Sequence, residues 1–159
     1  MRRRRIVAAG LTLLLSLASL SFKCDGGGGG GTTSTDANVR KAATACDDIA
    51  GALKSMAEAK RDLLKNGKIT KDESNRLTVL LLKLVKADRT FCNGVKQAKQ
   101  FDTTNKPNLA TLFASVTSAI NDLNSSGVLG ISNADAKSRL STIIATINAA
   151  VAIIGPLLQ

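Results

Sequence analysis

The sequence predicts an all-α protein, an antiparallel four-helix bundle built from two tandem helical hairpins. Three observations carry that expectation: apolar residues recur on steps of three and four in four separate stretches, cap residues precede those stretches, and the two halves repeat one another at their turns. Strand-like alternation is not the pattern anywhere in residues 36–159, which read as one helical domain.

Asp36 follows the small polar run Thr32–Thr35 and is placed to accept the amides of a first helical turn. Beyond it Val39, Ala42, Cys46, Ile49, Leu53, Met56 and Leu63 form an apolar stripe, with Lys60 breaking the register. Asn66-Gly67 closes this helix, since Gly adopts the left-handed conformation that ends a helix. Thr70 and Glu73 then make a capping box, in which the Thr hydroxyl and the Glu carboxylate each take the other residue's amide. The second helix carries Leu77, Leu80, Leu81, Leu84, Phe91, Val95 and Ala98, with Asn93-Gly94 as a place to kink or stop. A connection as short as residues 67–70 forces its two helices side by side and antiparallel.

Pro107 opens a third helix, where its missing amide costs nothing. Leu109, Leu112, Phe113, Val116, Ala119, Ile120 and Leu123 give its stripe, and Asn124-Ser125-Ser126-Gly127 marks its end, followed by a loop to Ile131. Ser132 and Asp135 form a second cap signature, ahead of a helix with Leu140, Ile143, Ile144, Ile147, Val151 and Ile154 that Gly155-Pro156 stops. Residues 69–77 and 131–140 parallel each other with one insertion, which is why two hairpins of one design are expected.

The formal net charge of +10 suggests a nucleic-acid binder until it is placed along the chain. Five of the basic residues, Arg2 to Arg5 and Lys23, lie ahead of the domain, and the rest are interleaved with acids. Aromatic platforms for stacking bases are scarce, so no nucleic-acid partner is expected. The chain has no His, which removes the usual general base and the commonest metal ligand. No cofactor, no metal and no enzymatic activity are expected. Asp47-Asp48 and Asp72-Glu73 are the acidic pairs; the first sits on a solvent face and the second at a helix start, where negative charge complements the dipole. The charge-poor surface of the third and fourth helices is the expected partner face.

Residues 1–23 read as a signal peptide: four arginines, then an apolar run from Ile6 to Leu20 that is shorter than the roughly 20 residues a membrane-spanning helix needs. Residues 24–35 read as a flexible tether, because the six glycines of 26–31 have no side chain to bury. An ordinary cleavage after Ser19-Leu20-Ser21 is one exit, and an uncleaved anchor is another. Cys24 followed by the glycine tract resembles the leader of a bacterial lipoprotein, although Lys23 stands where that class has a small residue. The resemblance implies a lipid on Cys24 and a membrane-anchored, extracytoplasmic location facing the periplasm or cell exterior. An envelope protein or polymer is then the expected partner.

With Cys24 lipidated, Cys46 and Cys92 remain as an even pair, level with each other in an antiparallel hairpin. A bridge there is worth roughly 4 kcal/mol by loop entropy; two buried thiols are the alternative. A second functional alternative rests on residues 140–159, which carry no charge and approach the length of a membrane span, as in a membrane-active or pore-associated protein.

Overall fold

The structure, a computed structural model, describes residues 36–159. The proposed signal peptide, the tether and Cys24 lie outside the described residues. The described chain is all-α: α1 (Ala37–Lys65), α2 (Lys71–Gln97), α3 (Lys106–Asp122) and α4 (Ala134–Ile154), with a π-helical turn over Leu123–Val128 and a 3-10 turn over Gly155–Leu157.

Each boundary has a local cause. Asp36 accepts the Asn38 amide at 2.9 Å, capping α1. At the other end the Gly67 and Lys68 amides return to the carbonyls of Leu64 and Leu63, a Schellman closure that requires the left-handed φ of 64° at Gly67. The capping box forms as expected: Glu73 N donates to Thr70 Oγ1 at 3.1 Å and Thr70 N to Glu73 Oε2 at 2.7 Å. In the loop before α3, Asp102 Oδ1 takes the amides of Thr104 and Asn105, and Pro107 lies in the first turn.

Three boundaries differ from expectation. Helix α2 runs through Asn93-Gly94 without stopping, because Gly94 lets α3 approach: a Cβ there would come within 2.9 Å of Leu109 Cδ2. The chain does not leave the helix at Asn124 but widens into the π turn, which buries Leu123, Gly127 and Val128 together. The cap of α4 is Asn133 and not Ser132: Asn133 Oδ1 accepts the Ala136 amide at 2.9 Å. Ser132 instead donates its amide to Glu73 Oε1 at 2.8 Å, and Asp135 stays exposed in the first turn, where its charge favours the dipole.

The apolar stripes meet in one core. Helix α1 packs against α2 and α4, and α2 packs against α3. Ile49, Met56, Leu77, Leu84, Phe91, Val116, Leu140, Ile147 and Ile154 are fully buried. Phe91 and Phe113 stack at a tilt with centroids 5.4 Å apart. At the break in the α1 stripe, Ala59 takes the buried position and Lys60 leans over to donate from Nζ to Thr78 Oγ1 on α2. Ile69 and Ile131, at matching places in the two repeated segments, are both buried just ahead of their helices.

Named contacts show which ends adjoin. The Asp36 amide donates to the Lys99 carbonyl, and Arg139 pairs with Asp62, so α1 begins near the end of α2 and ends near the start of α4. Lys83 pairs with Asp122 at the end of α3, and Lys106 Nζ reaches the main-chain oxygen of Gln159.

Candidate functional site

Helices α1 and α2 are linked covalently by a disulfide between Cys46 and Cys92, with Cα atoms 5.8 Å apart. The pairing follows from the hairpin: Cys46 occupies a core position of the α1 stripe, and Cys92 faces it from the last turns of α2. The bridge closes across a sequence separation of 46 residues.

The bridge lies in the wall of a groove of about 540 Å³ between α1 and α2. Ala50, Leu53, Ala57 and Val85 supply its apolar surface, and Asp47, Lys54, Asp88, Arg89, Asn93 and Lys96 bring charge and polarity to it. Lys54, Arg89 and Lys96 are exposed, as is Ala50, while Leu53 is buried and Ala57 and Val85 are half-buried, so the cations edge the groove and these three residues form its base.

Asp88 is the unusual member. Its side chain is on the buried face of α2, one helical turn before Cys92, and only 6% of the residue is exposed. Asp88 Oδ1 lies 3.3 Å from Cys92 Sγ. A disulfide sulfur has no hydrogen to give, so a bond across that contact needs the proton on the carboxyl. Burial, joined by the negative charge of Asp47 and opposed by Lys96, raises the Asp88 carboxyl to about 6. The two sulfurs and a carboxylate oxygen of Asp88 lie within 4.8 Å of one another.

The remaining sequence candidates divide cleanly. Glu73 is structural: hydrogen bonds from Thr70 and Ser132 lower its carboxyl to about 2. Asp48 and Asp72 are exposed. On α3 a second groove is lined by uncharged residues from Ala110 to Asn121 and by Asp122, on the helix that the charge pattern marks as a partner face. Sequence reading missed Asp88, whose one available signal was its spacing of four from Cys92, the interval that sets two side chains on one helix face.

Comparison with protein-family models, with characterised proteins and with solved structures gives no match for this chain.

Proposed function

We propose that this protein is an exported helical domain, tethered to the outer side of a membrane by a lipid on Cys24 or by an uncleaved N-terminal anchor, with a binding or structural role in the envelope and no catalytic one. The observation that carries this reading is the Cys46–Cys92 disulfide, since such bonds persist in oxidising compartments and are rare in the cytosol. The charged, apolar and glycine-rich order of residues 1–31 supports the same direction of travel.

Within that reading the four helices are an antiparallel bundle of two tandem hairpins. Support comes from the adjoining ends, Asp36 with Lys99, Asp62 with Arg139 and Lys106 with Gln159. The α1–α2 groove, with an apolar base and charged edges, suits a partner that presents both kinds of surface.

A second reading, a membrane-active protein, draws on residues 134–157, which are apolar and long enough to cross a bilayer. Leu140, Ile144, Ile147 and Ile154 of this stretch are buried in the core, while 28% of the apolar window is buried in all.

Fractionation of cells making the full chain and its Cys24→Ala variant tests the proposal. The wild-type chain is expected in the membrane fraction and open to protease added outside the cytoplasmic membrane, with the variant released or retained at its uncleaved leader. A wild-type chain recovered from the cytosol, shielded from that protease, would overturn it.

A further inference from the structure

We propose that Cys46, Cys92 and Asp88 form a redox-gated binding site for a thiophilic divalent cation, closed while the disulfide stands and opened by its reduction. The inference does not depend on where the protein resides or on how it is tethered.

Three features carry it. The first is convergence: two sulfurs from different helices and a carboxylate oxygen already lie within 4.8 Å of one another. Once the S–S bond is cleaved, the sulfurs need to separate only to about 3.8 Å to share a tetrahedral ion with bonds of about 2.3 Å. The second is the position of Asp88. The carboxyl is 94% buried, and its neighbour at 3.3 Å is a sulfur that cannot donate while it is bridged, so in the disulfide form the contact needs the proton on Asp88 itself. As a ligand of a bound cation the same carboxylate is satisfied. The third is access, because all three residues, though buried, line the groove.

The ligand set selects the class of ion. Two thiolates favour a soft or borderline cation such as Zn²⁺ over Mg²⁺ or Ca²⁺, which prefer all-oxygen sites. With two thiolates, Asp88 and Asp47 set against Lys54, Arg89 and Lys96, the open site carries one net negative charge for an incoming cation. Those cations also favour thiolate over thiol once the bridge is open.

The chemistry closes without hidden reagents. A phosphine or dithiol reductant supplies two electrons, solvent supplies two protons, and the S–S bond becomes two thiols. Binding of the cation forms two metal–sulfur bonds and releases both thiol protons.

The test uses the full chain, reduced with a phosphine, freed of it without oxygen, and titrated with Zn²⁺ against a chromophoric chelator. One equivalent is expected to bind to the reduced protein and none to the disulfide form at the same ion concentration. Asp88→Asn, which keeps the shape and removes the charge, is expected to weaken the reduced site by at least about tenfold. Cys46→Ser is expected to abolish it. Equal uptake by oxidised and reduced chains would overturn the proposal, as would no uptake by the reduced chain or an Asp88→Asn variant with wild-type affinity. Circular dichroism on the same samples covers loss of structure on reduction. A reduced chain that unfolds and regains helicity with Zn²⁺ supports the site, and one that stays unfolded with Zn²⁺ contradicts it.

Discussion

Glu73 holds Ser132 across 59 residues of sequence, accepting its amide at 2.8 Å on one carboxylate oxygen while the other accepts the Thr70 amide at 2.7 Å. One side chain thus satisfies the start of α2 and the approach to α4, the two places where the sequence repeats itself. Both bonds are charge-assisted and part-buried, so Glu73→Ala is expected to cost about 2 kcal/mol in urea denaturation.

The same contact sets a dependence on acidity. The folded carboxyl sits at about 2 against 4.5 without its partners. Its contribution is complete above pH 4.5 and is lost as pH falls from there through about 2. Denaturation midpoints measured down that range should fall for the wild type and fall less for Glu73→Ala, the difference between the two curves closing toward pH 2.

Phe91 is fully buried and stacks on Phe113, coupling α2 to α3 at the level where Gly94 lets the helices close. Phe91→Ala removes a whole ring from a packed site and is expected to cost about 3–5 kcal/mol. A loss below about 1 kcal/mol would mean that the ring is not in the core.

Gly67 ends α1 at a φ of 64°, with nothing within 4 Å of where a Cβ would stand. Space is therefore not the issue, and conformation is. Gly67→Ala should destabilise the chain by about 1 kcal/mol, and Gly67→Asn by less, since Asn tolerates that region.

The disulfide links the chain across a separation of 46 residues. By loop entropy its reduction is worth about 4 kcal/mol, and 2–4 kcal/mol is the expected fall in stability, about equal to the loss in the metal-free Cys46→Ala/Cys92→Ala variant. The variant should show no further loss when a reductant is added.

Much of this fold was legible in the sequence because its signals are local. The stripes of α1 and α2, the Asp36 cap, the Thr70–Glu73 box and the Gly67 closure depend on residues within about a turn of one another. What escaped is set by contacts from elsewhere in the chain. Ser132 and Asn133 are both able to cap, and the choice falls to Asn133 as Glu73 engages the Ser132 amide. The π turn reads as a loop in Asn124-Ser125-Ser126-Gly127, yet the burial of Leu123 and Val128 and the close approach of Gly127 to Leu77 and Leu80 of α2 keep it wound. At the groove, the sulfur pair could be anticipated from helix register. Asp88 could not, since a carboxylate between Lys86 and Arg89 in sequence reads as solvent-facing until the level of Cys46 on the opposite helix is known.

Intact-mass spectrometry of the protein isolated from fractionated cells tests most directly whether the chain is exported, oxidised and tethered. The predicted result is a membrane-associated species carrying the mass of one disulfide, beginning at an acylated Cys24 or retaining the leader as an anchor. A cytosolic species of full length with Cys46 and Cys92 both as free thiols would contradict it.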